Sequence, residues 1–344
     1  MTESDKPELL NLEVDADFRP RSFAHAEMVT CEACLRANPP TRGNCLYCGA
    51  QLPATNAART AEEKVAPAVA GAEGCYVVLS AAAAKSLDQK LLERLAGRLR
   101  IGLAELQTAI RAKGHLPLSH LNTDEQAQDV SAELRGLGIE TSTVSGEDLK
   151  SSWAGKKIRA LEIDGDGLTG LTAGSGERTL TAWDDPVLLV VGRLQLNHVE
   201  DVVRRKRGGP KPLDHRETSS DESIFDLYCR TSRVGWRIVA SGFDFSCLGE
   251  RKKMTAFENF TALIGLLGER APNLAVDNSY SGVRPILTNL WPLGTSTRTG
   301  AWRRTGAGKI DMSTVTTTDN ESQFDNYSRL LQVLRIRDLG RQNT

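Results

Sequence analysis

Aromatic side chains are scarce in this sequence, at 5% of 344 residues. An excess of charge of either sign is missing too. Lys and Arg number 43 against 44 Asp and Glu, a formal net charge of −1, so bulk electrostatics favours neither nucleic acid nor an anionic membrane. No window approaches the roughly 18 apolar residues that cross a bilayer, and the longest run, VLLVV at 187–191, is strand-sized. The first residues, MTESDKPELL, carry no basic region followed by an apolar run, which speaks against a secretory signal. Histidines are few and scattered (His25, His115, His120, His198, His215), and none has a partner at helical metal spacing. With no nucleophile–base arrangement and no paired carboxylates in a catalytic context, the expectation is a protein that is not an enzyme. Two further absences remove nucleotide and calcium loops. RTGAGKI (304–310) has Arg303 where a phosphate loop needs glycine and Ile310 where it needs Ser or Thr. DGDG (164–167) has Leu168 at the third acidic position of a calcium loop, so it reads as a hairpin turn.

What the chain does have is a cysteine pattern. Residues 31–52 read CEACLRANPPTRGNCLYCGAQL, a CxxC pair, ten residues, and a second CxxC pair. Cys31, Cys34, Cys45 and Cys48 can form two facing knuckles, a tetrahedral four-sulfur cage suited to Zn²⁺, closed to substrate and therefore structural. Metal spacing for four of the seven cysteines implies a reducing compartment, and the cytoplasm is expected. Cys75, Cys229 and Cys247 sit inside apolar runs and read as buried small hydrophobes. The stretch resembles the short bacterial zinc ribbons with the pattern CxxC, NPP, CxxCG, matched here by the four cysteines, Asn38, Pro39, Pro40 and Gly49. It is also similar to the Ran-binding-protein type of zinc finger, which shares the spacing and the Asn at position 38, with Val29 where that family carries Trp. Some fingers of that type bind single-stranded RNA, and that resemblance marks Arg36, Arg42 and Tyr47 as nucleic-acid candidates.

The rest of the chain divides by composition into a multidomain α+β protein. Residues 1–26 are polar and mixed in charge, and are expected to be disordered. The ribbon spans 27–52, and an Ala/Pro-rich linker spans 53–73. From 74 to 148 the order reads β-α-α-β-α-β. CYVVLS is a buried strand, Ser86 and Gln89 form a capping box, and leucine stripes follow at helical spacing. A second capping box lies at Thr123 and Gln126, with stops at Gly114, Gly136 and Gly138. This order, with its RLRIGLAEL turn, resembles the C-terminal domain of the bacterial ribosomal stalk protein. That family docks translation factors through lysines, where this chain has Glu105, Gln107, Asp124, Glu125 and Gln128. The resemblance therefore implies the fold and a docking role only.

Residues 156–272 are strand-dominated and close with an amphipathic helix, a layout similar to pleckstrin-homology or GRAM-like barrels. Residues 273–344 form a tail with its own amphipathic helix. FENFTALIGLL (257–267) and FDNYSRLLQVL (324–334) repeat one another in chemical type. Phe257, Phe260, Ile264 and Leu267 correspond to Phe324, Tyr327, Leu331 and Leu334. Two equivalent helices of this kind would cover equivalent surfaces.

Two basic stretches stand out, RRKRGGPK (204–211) and RTGAWRRTGAGK (298–309), both read as loops. Arginine alternating with an aromatic can hold single strands by charge and stacking, which makes Arg204, Arg205, Lys206, Arg207, Trp302, Arg303 and Arg304 candidates. The favoured reading is a cytoplasmic, non-catalytic adaptor or regulatory protein that binds protein partners, with structural Zn²⁺. The alternative is a nucleic-acid- or ribosome-associated protein using the ribbon and the basic loops.

Overall fold

The computed structural model describes residues 28–30, 37–38, 74–81, 87–99, 101–152, 155–172, 176–206, 209–231, 235–300, 302–306 and 309–342. The chain divides into two units, Met1–Ala66 and Pro67–Thr344. In the first, β1 (Val29–Thr30) and β2 (Ala37–Asn38) pair antiparallel, with Val29 opposite Asn38 and Thr30 opposite Ala37. Val29 and Asn38 are buried. Cys31, Cys34, Cys45 and Cys48, and with them Arg36, Arg42 and Tyr47, lie outside the described residues.

The second unit is mixed α and β. Its first elements are β3 (Cys75–Leu79), α1 (Gln89–Leu99), α2 (Leu103–Arg111), β4 (Leu116–Leu121), α3 (Asp124–Gly136), β5 (Thr141–Ser145) and the short α4 (Gly146–Ser151). β3 is central, antiparallel to β4 on one edge and to β5 on the other. All five of its residues are buried, which is why CYVVL reads as an unbroken apolar run. Helix starts follow local chemistry. Thr123 Oγ1 accepts from the Gln126 N–H at the head of α3, and Asp88 Oδ1 accepts from the Leu91 N–H at the head of α1. Ser86, where the sequence suggests that first cap, lies outside the described residues.

The second group is β6 (Lys156–Ile163), β7 (Gly167–Thr172), β8 (Arg178–Ala182), β9 (Pro186–Lys206), β10 (Gly209–Cys229), β11 (Gly235–Val239), α5 (Ala256–Arg270), β12 (Ala275–Asp277), α6 (Tyr280–Leu287), β13 (Gly294–Thr299), β14 (Arg303–Gly306), β15 (Lys309–Asp319) and α7 (Glu321–Gln342). A 3₁₀ helix, Phe245–Arg251, precedes α5. The strands form one sheet of order β13-β15-β9-β10-β11-β6-β7-β8, with β12 beside β9 and β14 beside β15. The path is open, its ends β13 and β8 being unpaired with each other among the described residues. Asp164 makes the turn expected of DGDG: its Oδ1 accepts from the Asp166 and Gly167 N–H groups between β6 and β7.

The root of the β9–β10 hairpin is covered on both faces. Leu188, Val190, Ile224 and Tyr228 point into one hydrophobic cluster, and Leu189, Phe225 and Leu227 into the other. The first cluster continues through β3, α1, α2 and α3 and takes in Tyr280, Ile286, Trp291, Phe324, Tyr327 and Leu331. Residues 273–344, read as a tail, thus share a core with residues 74–149. Trp291 Nε1 donates to the Tyr76 hydroxyl at 3.2 Å, and the Tyr327 hydroxyl donates to the His115 carbonyl at 3.0 Å. The repeated helices cover opposite faces of the sheet: Phe260 and Leu267 of α5 belong to the second cluster, Phe324, Tyr327, Leu331 and Leu334 of α7 to the first. Their equivalence breaks at one position, since Phe324 is fully buried and Phe257 is 60% exposed.

An ion cluster fastens α7 to the sheet. Arg237 Nε and Nη2 donate to the two carboxylate oxygens of fully buried Asp226, both at 2.8 Å, and Nη2 reaches Asp325 Oδ1 at 3.0 Å. The Tyr228 hydroxyl bridges Asp226 and Ser328.

Candidate nucleic-acid interface

The apolar run of β9 stops at Gly192, against which the Phe324 ring packs. Beyond it Lys211 to Asp221 of β10 are all exposed, while β9 still carries Leu194, Leu196, Val199, Val202 and Val203 among polar residues. The outer fourteen or so residues of β9 extend about 50 Å at strand rise. β15 pairs with this outer half from Leu196 to Arg204, and β13 pairs with β15. The product is a four-stranded arm whose rows read across the strands, for example Thr297, Thr316, Val199 and Glu217. Pro210 and Pro212 on β10 supply no N–H along its outer edge, a pattern that discourages another strand from adding there.

The two basic stretches are read as loops from the sequence, but the structure makes each a hairpin. The turn of β9 and β10 lies between Lys206 and Gly209, and that of β14 and β15 between Gly306 and Lys309. Because β15 lies beside β9, both turns fall at the same end of the arm. Arg303, Asp311, Arg204 and Lys211 occupy one row across four strands. Segments 202–213 and 302–312 together hold eight Lys and Arg against one acid, Asp311. That acid is engaged: Arg204 Nε and Nη2 donate to its two oxygens at 2.7 and 2.8 Å, and Thr305 Oγ1 donates at 2.7 Å. The hydrogen bonds from Arg204, then Thr305, hold the Asp311 carboxyl down at about 2. Arg204 is therefore a positioning residue, not a free cation. Arg205, Lys211, Arg303, Arg304 and Lys309 are exposed, and none pairs with a carboxylate among the described residues. Lys206 belongs to the end of β9, and Arg207 lies outside the described residues.

Just below the basic row, the outer strand β10 carries an irregularity. Between Pro212 and Asp214 the β10 register slips, leaving Leu213 as an extra residue, 46% exposed. On the other edge, β13 pairs with β15 as far as Thr299 opposite Thr314, and β14 resumes the pairing at Arg303 opposite Asp311. The Gly300 N–H donates to the Ser313 carbonyl, and Trp302 emerges 38% exposed. Bulges of this kind re-aim side chains and sharpen twist. Sequence reading missed Asp311 and Leu213, since neither the pairing nor the slip has a local signature.

Other titratable groups are placed for structure. Burial pushes the Cys75 and Cys247 thiols up to about 11, away from thiolate chemistry. His120 stacks on Tyr76, His198 meets Thr317, and His215 Nδ1 lies 2.7 Å from Asp201 Oδ1. Burial drives His115 below the ordinary histidine range. An open groove of about 620 Å³ at the arm root is lined by Asn197, Glu217, Asp221 and Asn320, with no nucleophile paired to a base. Among the described residues no three His, Cys, Asp or Glu side chains are grouped to hold a metal, and no helix is long and apolar enough to cross a membrane.

No protein family, curated protein or solved structure matches this chain.

Proposed function

We propose that this chain is a non-catalytic binding protein that engages nucleic acid through the tip of the β-arm. One observation carries the reading: two basic segments about a hundred residues apart in sequence meet at one end, and the single acid among them is neutralised by Arg204. In a chain of net charge −1 this is a local concentration of cations, of the kind that phosphate backbones select. Five exposed cations predict a slope of log affinity against log salt of about −3.5 to −4.5. Fluorescence anisotropy of a labelled oligonucleotide between about 50 and 200 mM salt measures it. Absence of binding at the lowest salt, or binding indifferent to salt, overturns the reading.

The ribbon belongs to this proposal as a structural zinc site. Four thiolates at CxxC spacing form a donor set that fits Zn²⁺. The antiparallel pairing of Thr30 with Ala37 brackets the segment carrying the first CxxC, as a knuckle requires. Cys31, Cys34, Cys45 and Cys48 would hold the ion, which supplies folding energy and no chemistry. Elemental analysis of purified protein tests it, one zinc per chain being the expected content.

A second reading, the protein-docking adaptor, has one observation in its favour. Met254 is fully exposed and Phe257 60% exposed, beside a groove at the arm root that also holds Asp221 and Glu222. Co-purification of the same partner with wild type and with Phe257→Asp at equal yield sets that surface aside.

A further inference from the structure

The width of the arm and the position of Trp302 say more about the ligand. The row of Arg303, Asp311, Arg204 and Lys211 spans four strands, hence three inter-strand spacings, or about 14 Å before side chains are added. The major groove of B-DNA is about 12 Å wide and admits a helix or a two-stranded ribbon. The basic row is therefore too broad to seat in a duplex groove.

Trp302 is the large flat apolar surface at this end. Trp236 and Trp291 are buried in the cores, whereas Trp302, just before β14, is 38% exposed. It touches no other ring among the described residues and is followed immediately by Arg303 and Arg304. Leaving an indole exposed to water is unfavourable in the free protein, and a ligand face that covers it returns that apolar area. The ligand chemistry that pairs a π face with closely spaced negative charge is an unpaired nucleotide. In a duplex the base faces are already stacked, while in a single strand they are available.

We propose that the ligand of the arm tip is a single strand of DNA or RNA, with one base stacked on Trp302 and the flanking phosphates held by Arg303, Arg304, Arg205, Lys211 and Lys309. This rests on the nucleic-acid reading above and narrows it. Stacking is indifferent to the sugar, so the two backbones share the chemistry and the experiment separates them.

The test uses the full-length chain and three labelled probes of about 15 nucleotides, a length that covers one binding site: oligothymidylate, oligouridylate and a blunt duplex. Wild type is compared with Trp302→Ala, Trp302→Phe and the double variant Arg303→Ala/Arg304→Ala, each checked for an unchanged melting temperature. The expected result is tighter binding of single strands than of duplex. Trp302→Ala then weakens single-strand binding about tenfold or more, Trp302→Phe restores most of it, and the salt slope stays the same in both. Preference for oligothymidylate or oligouridylate names the source. Duplex binding as tight as single-strand binding, or single-strand affinity unmoved by Trp302→Ala while the double arginine variant weakens every probe, overturns the single-strand inference and leaves the nucleic-acid reading standing. Failure of wild type to bind any probe at the lowest salt overturns both.

Discussion

Arg204 and Asp311 are 107 positions apart in sequence and are joined by two parallel hydrogen bonds at 2.7 and 2.8 Å, across the seam between β9 and β15. The bidentate geometry fixes both position and orientation of the guanidinium. It registers the two hairpin turns against each other and so gathers the free cations at one end of the arm.

Replacing Asp311 by Asn removes the charged half of that clamp. Faster amide hydrogen exchange is expected in 309–314, with exchange in the core strands and the melting temperature of the body unchanged. The same clamp has a pH dependence. The Asp311 carboxyl is depressed in the folded arm, so its contribution is present in full above the ordinary carboxylate value of roughly 3.9 and is lost as pH falls through about 2. Exchange protection in 309–314 that disappears already near the ordinary value contradicts the clamp.

His215 runs the other way. Its hydrogen bond to Asp201, and then the Asp201 charge, raise its pKa. The protonated pair therefore supports the arm fully below the ordinary histidine value of roughly 6.5, and that support is lost as pH rises through the folded value. An NMR titration of the His215 ring should show the raised midpoint in wild type and a return toward the ordinary value in Asp201→Asn.

Arg237 sits between the sheet and α7 with Asp226, which is fully buried. Arg237→Met strands that carboxylate without its partner, and a loss of about 3–5 kcal/mol in urea unfolding is expected. Arg237→Met with Asp226→Leu removes both charges together and should recover much of it. A double variant as unstable as the single one would show that packing, not the ion pair, governs the site.

Gly192 marks the point where the arm leaves the core. A Cβ there would stand 2.3 Å from the Phe324 ring, so Gly192→Ala must push α7 aside. A destabilisation of about 1–3 kcal/mol is expected, as for other overpacked cores. An alanine variant as stable as wild type in urea would mean that the ring moves freely.

For the ribbon, chelation is expected to open the pairing of Val29–Thr30 with Ala37–Asn38 and to leave the strands and helices of the second unit in place, because the two units are separately compact. Metal-coupled folding of such a knuckle is worth on the order of 10 kcal/mol in small peptides. Collapse of the whole circular dichroism spectrum on adding chelator would contradict the separation.

Local pattern was enough for much of the fold. The buried run CYVVL, the cap at Thr123 and the Asx turn at Asp164 each involve residues within a few positions of one another, so their signals lie in short windows. The repeat in 257–267 and 324–334 identified two helices with apolar faces. It carried no information on which face of which sheet each would cover, nor that Phe257 would stay exposed where Phe324 is buried. The basic segments are legible as charge and composition, but their glycines, with Pro210 and Pro212 beside the first, point to loops. The outer half of β10 is exposed on both faces and lacks the alternation that betrays an ordinary strand.

The amino-acid order by itself determined the kinds of parts: four thiols at metal spacing, helices with one apolar stripe, and two stretches dense in Arg and Lys. Only the tertiary structure decided that β15 lies against β9, that Arg204 is committed to Asp311 while its neighbours stay free, and that Trp302 is partly exposed at the same end. The reason is physical. Helical stripes and caps are set by contacts three or four residues apart, whereas strand neighbours are chosen by burial and hydrogen bonding between segments a hundred residues distant, for which no short window holds a record.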